Sequence, residues 1–188
     1  MKHLGSRRLE TERLILRPFR LDDAQAMYDN WAKDPQVTRY LSWRPHEDVN
    51  VSRELLRIWV NSYAFPECYN WAIEVKEGSV LIGSIGVAEP KDSIRMVSIG
   101  YCIGQAWWHQ GYVSEALKRL LAFFFDQVGV NRIQACHEAA NIHSGQVMEK
   151  CGMCYEGLMR QSIAKPDGLA DGRYYAILEE DYRKMIGG

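Results

Sequence analysis

Residues 103–117 read Ile103-Gly104-Gln105-Ala106-Trp107-Trp108-His109-Gln110-Gly111-Tyr112-Val113-Ser114-Glu115-Ala116-Leu117. The stretch leads from an apolar run into a segment of helical periodicity, so it predicts a strand end, a glycine-bearing turn and a helix N-terminus. Backbone N–H groups at a helix start lack intrahelical acceptors, and the helix dipole favours negative charge there. Gly111 would let the backbone approach a phosphate closely. The turn therefore predicts a pyrophosphate site, although glycine also suits a purely structural turn.

The segment after the turn has the strongest helical pattern in the chain. Apolar residues recur with a 3.6-residue period over Ser114–Asp126, and Gly129 lies just beyond, where helices commonly end. The turn before this helix matches neither G-x-x-x-x-G-K-[ST] nor G-x-G-x-x-G. A nucleotide-binding loop of either common type is therefore not expected.

The flanking sequence predicts a sheet whose first strands form an antiparallel meander and whose later strands are connected through helices. Helices are expected from Ala24 to Trp31, from Asp48 to Ser62 and from Asn141 to Cys151. The order of elements predicts one α/β (α+β) domain with a mixed, mostly antiparallel sheet of about seven strands. The predicted strands are Arg13–Phe19, Tyr69–Val75, Val80–Val87, Met96–Ile103, Arg132–Glu138, Tyr155–Ile163 and Tyr174–Leu178.

Composition narrows the class of protein. The chain has 188 residues, 47% hydrophobic and 25% charged, which fits a single domain over residues 1–188 with its core at about 9–186. The net charge of −1 gives no basic footprint for nucleic acid, and no apolar run approaches the roughly 20 residues of a membrane span. We expect a cytoplasmic protein without nucleic-acid or membrane partners.

The cysteines predict neither disulfides nor a metal site. The chain has five cysteines, an odd number, and is long enough to fold without disulfide bonds. Cys151 and Cys154 form one C-x-x-C, but no second pair exists to complete four zinc ligands. No metal is expected.

Several motifs together resemble the GCN5-related N-acetyltransferases, the GNAT family, in the subgroup of ribosomal-protein N-terminal acetyltransferases. The turn at residues 104–114 is similar to their acetyl-CoA loop. Asn141, Ser144, Glu149-Lys150 and Gly152 fall in the spacing N-x-x-S-x-x-x-x-E-K-x-G, which the subgroup uses after its fifth strand. Further segments resemble the subgroup's strands in the same order, namely Leu9–Pro18, Asn70–Ile73, Leu81–Gly86 and Ile99–Tyr101.

The resemblance implies a fold whose fourth and fifth strands splay apart and admit the pantetheine arm of acetyl-CoA. The pyrophosphate would then meet the backbone N–H groups of the loop. Val113 stands where the family usually has Gly or Ala, and so narrows the space beside the phosphates. The residues that the resemblance implies for acetyl-CoA are Tyr101, Ile103, His109, Gln110, Gly111, Tyr112, Val113, Ser114 and Asn141.

The resemblance also implies catalytic candidates. Ser144 would be the general acid that protonates the departing CoA thiolate, because Met148 stands where many relatives have a tyrosine. His137 and Glu138, at the end of the predicted fifth strand, are candidates for the base that takes the proton of the amine. Each residue also has a structural interpretation. Ser144 could bond its own helix, and His137 or Glu138 could be solvated or packed. For Asn141 both roles can hold, so we expect its side chain to cap the helix while it lies near the pantetheine.

The expected reaction is direct attack of a primary amine on the acetyl-CoA thioester in a ternary complex, without a covalent enzyme intermediate. The favoured acceptor is the N-terminal α-amine of a protein such as a ribosomal protein. Small amines, namely polyamines, amino acids or antibiotics, remain open as acceptors. So do a water relay in place of a base, a non-catalytic acetyl-CoA sensor and a nucleotide-binding protein. The oligomeric state is also open, a homodimer included.

Overall fold

The computed structural model describes residues 1–187, apart from the side chain of Glu89. Within that range, eight strands form one sheet in the order β1-β2-β3-β4-β5-β6-β8-β7. The strands are β1 Leu9–Glu10, β2 Leu14–Arg17, β3 Asn70–Val75, β4 Val80–Lys91, β5 Met96–Ile103, β6 Arg132–Glu138, β7 Cys154–Lys165 and β8 Gly168–Leu178. The helices are α1 Ala24–Met27, α2 Pro35–Thr38, α3 Val49–Ser62, α4 Tyr112–Phe123, α5 Ile142–Lys150 and α6 Glu179–Gly187.

The sheet is mixed and mostly antiparallel, which confirms the predicted fold class. The prediction of about seven strands omitted β1, a two-residue strand that pairs with β2. The strands predicted as fourth and fifth are therefore β5 and β6. They form the parallel pair of the sheet, connected through α4.

The parallel pairing of β5 with β6 is short. It joins Met96 to Arg132, Val97 to Ile133 and Ser98 to Gln134. Beyond these pairs β5 stays paired with β4 as far as Ile103, while β6 stays paired with β8 as far as Glu138. The second halves of β5 and β6 therefore diverge, and a gap opens in the middle of the sheet.

Each face of the sheet has its own core. Side chains alternate along a strand, so Trp71 and Ile73 of β3 face one side and Ala72 the other. The first side packs against α4, including Leu117 and Leu121, and the second against the region of α1 and α3. Helix α4 thus packs on one face of the sheet, against residues of both β5 and β6, and the α1 and α3 region packs on the other face.

Several elements differ from the sequence prediction. The first helix is irregular, because α1 continues as a π-helical turn over Tyr28–Ala32. Two helices were not predicted. These are α2, which Asp34 caps by accepting from the Gln36 N–H at 2.8 Å, and α6, which has an acidic first turn. An acidic first turn favours a helix start, so α6 had a sequence signal.

A buried ion-pair network joins β2, the start of the α1 region and β3. The guanidinium of Arg17 donates two 2.8 Å hydrogen bonds to Asp23 and one 2.6 Å bond to Glu74. These bonds outweigh the opposing effect of burial and raise the pKa of Arg17. Asp23 also accepts from the Arg20 N–H at 2.7 Å, which ties the helix start to the strand.

Removing the Arg17 guanidinium should strongly destabilise the fold, because two carboxylates would stay behind with little solvent. We expect Arg17→Met to lower the free energy of unfolding by about 3–5 kcal/mol in urea titrations. Arg57→Met is the matched control, since it removes the same charge from an exposed pair with Glu54. It should cost less than about 1 kcal/mol. Equal losses in the two variants would contradict the assigned role of the network.

Candidate active site

The gap between β5 and β6 opens into a cleft of about 330 Å³, within the usual size range of ligand pockets. One wall is the end of β5 with the turn that follows it and the first residues of α4. The opposite wall is α5, and the segment from α2 to Leu41 closes a third side. The cleft is thus assembled from elements that are far apart in the chain.

The turn before α4 presents a row of backbone donors at the cleft. Gly111 has φ 82° and His109 has φ 59°, so both lie in the left-handed region. Within the described part of the chain, the backbone N–H groups of residues 109–114 make no hydrogen bond. The first intrahelical bond runs from the Glu115 N–H to the Gly111 carbonyl at 3.0 Å. Such a set of N–H groups at a helix N-terminus is suited to an anion.

The structure brings together eight of the nine residues predicted for acetyl-CoA. Tyr101, Ile103, His109, Gly111, Tyr112, Val113, Ser114 and Asn141 all line the cleft. Gln110 is outside the lining. Its side-chain amide donates to the Ala106 carbonyl at 2.8 Å, and its backbone carbonyl accepts from the Arg13 guanidinium at 3.1 Å. Only the backbone N–H of Gln110 belongs to the donor row.

Asn141 lies at the N-cap position of α5 but does not cap the helix with its side chain. The expectation that the side chain would both cap α5 and lie near the cleft is therefore wrong in its first half. The backbone takes the capping role, because the Asn141 carbonyl accepts from the Ser144 N–H at 3.1 Å. The side-chain amide is consequently not engaged as a cap, and Asn141 lines the cleft.

Ser144, the predicted general acid, lies on the face of α5 that meets β5. Its Oγ is 3.0 Å from the hydroxyl of Tyr101. A second, smaller cavity of about 140 Å³ adjoins the cleft here, since both cavities are lined by Tyr101, Asn141 and Ser144. The two hydroxyl groups thus mark the junction between the cavities.

Both base candidates line the smaller cavity, but they differ in solvent exposure and in hydrogen bonding. The Glu138 carboxylate accepts from Lys165 Nζ at 2.6 Å and is about one-fifth exposed. His137 donates from Nδ1 to the Glu138 carbonyl at 2.8 Å, and burial lowers its pKa. Its Nε2 is buried without a partner in the described chain, close enough that a Cβ on Gly145 would approach it to 2.8 Å. Glu138 is therefore the more accessible proton acceptor.

The sequence did not predict the third wall of the cleft or the contacts that hold this wall in place. Tyr40 and Leu41, after α2, line both cavities. Lys165 Nζ donates to the Arg39 carbonyl at 2.7 Å as well as to Glu138, and so ties the β7–β8 hairpin to this wall. No local pattern indicates contacts between positions so distant in sequence. The Asp34-Pro35 pair was the one available signal, because a capping Asp before Pro favours a new helix start.

The family model for the acetyltransferase (GNAT) domain matches residues 13–154. This chain belongs to the GNAT family of acetyltransferases. This GNAT chain is 30% identical over 174 residues to an uncharacterised N-acetyltransferase of Bacillus licheniformis, p20, with 93% of this chain and 97% of the relative covered.

The solved structures similar to this GNAT acetyltransferase include the following two. A GNAT-family acetyltransferase from Bacillus anthracis superimposes with a TM-score of 0.82 at 26% identity, covering 93% of this chain and 99% of that one. A candidate ribosomal-protein-serine acetyltransferase from Vibrio cholerae gives a TM-score of 0.83 at 21% identity, covering 95% and 99%. The first supports the family and the second the fold.

Residues 1–187 of this acetyltransferase contain neither a metal-binding cluster nor a membrane-spanning helix. In that range no group of three or more His, Cys, Asp or Glu side chains is arranged to hold a metal ion. No helix among the same residues combines the length and the apolar composition needed to cross a bilayer.

Glu115 fastens the first turn of α4 to the β1–β2 turn. Its carboxylate accepts from the Thr11 hydroxyl at 2.5 Å, from the Arg13 N–H at 2.9 Å and from Arg13 Nε at 2.7 Å. Burial opposes ionisation of Glu115, but these bonds outweigh it and lower its pKa. The helix start, and with it the donor row, is thereby held in place from outside the cleft.

The lowered pKa predicts a pH-dependent contribution to stability. Glu115→Gln should lower the free energy of unfolding by about 1–2 kcal/mol near neutral pH, because the charged acceptor is lost. The unfolded pKa is 4.5, so the difference should be constant above it and vanish as the pH falls through the lower folded pKa. Urea titrations across pH measure this. Glu54→Gln, in an exposed pair, should change little, and a constant Glu115 difference far below pH 4.5 would contradict the argument.

Proposed function

We propose that the chain transfers an acetyl group from acetyl-CoA to a primary amine at the junction of the two cavities. GNAT acetyltransferases use acetyl-CoA as the donor. The observation that carries the proposal is the continuity of the larger cleft, which runs from the N–H row of residues 109–114 to the Ser144 hydroxyl. The donor row suits a pyrophosphate, and the hydroxyl suits the thioester end.

The residues divide the reaction between the two cavities. In this proposal the pantetheine arm lies along Tyr101–Ile103, where the β5 edge faces the gap. Glu138 takes a proton from the acceptor ammonium, directly or through water, and passes it to solvent. The free amine attacks the thioester carbon, the C–S bond breaks with its electron pair on sulfur, and Ser144 donates its proton to that sulfur. The amide nitrogen then loses its extra proton to Ser144, which restores the hydroxyl. Burial disfavours a charge on His137, whose imidazole lies beside α5 at Gly145.

For the acceptor we propose the α-amine of a protein or peptide N-terminus. The support is the resemblance to ribosomal-protein N-terminal acetyltransferases and the similarity to the Vibrio cholerae structure. Small-molecule amines are the alternative class. A thiol-release assay with acetyl-CoA tests both, using N-terminal peptides, amino acids, polyamines and aminoglycosides as a panel. Binding of acetyl-CoA without thiol release for any amine would favour a sensor over an enzyme.

Binding of acetyl-CoA should raise the melting temperature, because a ligand that binds only the folded state stabilises it. Gly111→Glu should abolish this shift by placing a carboxylate in the proposed pyrophosphate site. Gly129→Glu is a close control. Gly129 has φ 77°, so the variant carries a similar backbone strain and the same charge at the opposite end of the α4 region.

Comparing the Gly111→Glu and Gly129→Glu variants separates local repulsion of the pyrophosphate from general destabilisation of the fold. Both variants should melt at a lower temperature than the parent, since a side chain in the left-handed region costs about 1–2 kcal/mol. Only Gly129→Glu should retain the parental shift with acetyl-CoA. A full shift in a folded Gly111→Glu variant would refute the assignment of the loop.

The acceptor proposal predicts a preference that follows from proton affinity. An α-amine has a pKa near about 7.7–8.0 and a lysine amine near about 10.4, so far more α-amine is free base near neutrality. Short peptides with a free N-terminus and no lysine should therefore exceed N-terminally blocked peptides with one lysine in kcat/KM. Equal or higher kcat/KM on the blocked lysine peptides would exclude the N-terminal acceptor and leave acetyl transfer intact.

A further inference from the structure

The phenol of Tyr101 faces two acceptors on Ser144 at once. Its Oη lies 3.0 Å from the Ser144 carbonyl oxygen and 3.0 Å from Ser144 Oγ. A phenol has one proton, so it can make one strong donor bond. The serine hydroxyl likewise has one proton. The choice made by Tyr101 therefore decides where the serine proton points.

Two arrangements of these protons are possible, with different chemical consequences. If Tyr101 donates to the carbonyl, the serine hydroxyl can donate to Tyr101 Oη, and its proton is then bound to the phenol oxygen. If Tyr101 donates to Ser144 Oγ, the serine proton is left for another acceptor. Only the second arrangement presents an acidic proton to a leaving sulfur.

Burial favours the protonated phenol. Removal from solvent raises the pKa of Tyr101, and the bond to Ser144 only partly opposes this effect. The phenol therefore stays a hydrogen-bond donor throughout a turnover. A neutral donor at Ser144 Oγ would also stabilise the negative charge that develops on that oxygen when its proton leaves.

We propose that Tyr101 is a positioning residue, whose hydroxyl donates to Ser144 Oγ and so directs the serine proton at the leaving sulfur. The inference rests on the proposed acetyl transfer. In the balanced step, the amine nitrogen bonds to the acetyl carbon and the C–S bond breaks with its electron pair on sulfur. Sulfur takes the Ser144 proton. Ser144 then regains a proton from the nitrogen as the amide forms, and Tyr101 keeps its own.

A double-mutant cycle on the full chain tests this dependence. Ser144→Ala should lower kcat on the order of a hundredfold, as expected for a lost general acid. Tyr101→Phe should lower kcat about tenfold, the scale of one hydrogen bond, without changing KM or the dissociation constant of acetyl-CoA. In the Ser144→Ala background, Tyr101→Phe should have no further effect on kcat.

The cycle excludes a merely structural tether, because Ser144→Ala preserves the bond from Tyr101 to the Ser144 carbonyl. If Tyr101 acted only through that bond, its loss would lower kcat equally in both backgrounds, and the inference would be overturned. Tyr175→Phe is the control for loosening of α5, since the Tyr175 hydroxyl bonds Glu149 at 3.2 Å. Its kcat should match the parent.

The remaining outcomes separate the inference from the proposed function. If the parent turns over an amine and Tyr101→Phe keeps the parental kcat, the inference fails and acetyl transfer stands. If the parent releases no thiol with any amine of the panel, the proposed function fails and the inference fails with it.

Discussion

The parallel pairing between β5 and β6 ends after Ser98 and Gln134, and the site depends on this early end. Each strand remains paired on its other edge, β5 with β4 and β6 with β8. The separation therefore costs the fold only the bonds of the two inner edges. The second half of β5 therefore has one edge that no strand covers, and this edge faces the cleft. A bound molecule can form hydrogen bonds there with backbone N–H and C=O groups that would be paired in a continuous sheet.

The gap remains open because its walls are fixed from outside. Glu115 holds the start of α4 on the β1–β2 turn, so the donor row does not depend on a ligand for its shape. On the other side, Lys165 joins the β7–β8 hairpin to Glu138 and to the Arg39 carbonyl. Tyr101 spans the gap itself by reaching α5 at Ser144. Hydrogen bonds from charged or hydroxyl groups thus hold each wall of the gap in place, while apolar packing stabilises the sheet.

The sequence predicted the elements next to the gap most accurately. The bounds of β5 and β6 agree with the structure at both ends, because alternating apolar residues and flanking turns mark short buried strands clearly. Tertiary contacts were harder. The only local signal for the wall of Tyr40 and Leu41 is the helix start at Asp34-Pro35, and the Lys165 contact with Arg39 spans 126 positions. The expected side-chain cap of Asn141 failed because the Asn141 backbone carbonyl accepts the Ser144 N–H instead.

The charges at the smaller cavity bear on which amine could react there. Glu138 is already paired with Lys165, so its negative charge is largely balanced before an acceptor arrives. Burial lowers the pKa of His137, which disfavours a positive charge on its imidazole. A carboxylate paired in this way attracts an ammonium weakly, since the nearby lysine repels it. Such a cavity offers little electrostatic advantage to a strongly basic amine, and it favours an amine that is already partly neutral on arrival. The electrostatics of the cavity and the proton affinity of the acceptor therefore both support the proposed acceptor, an α-amine.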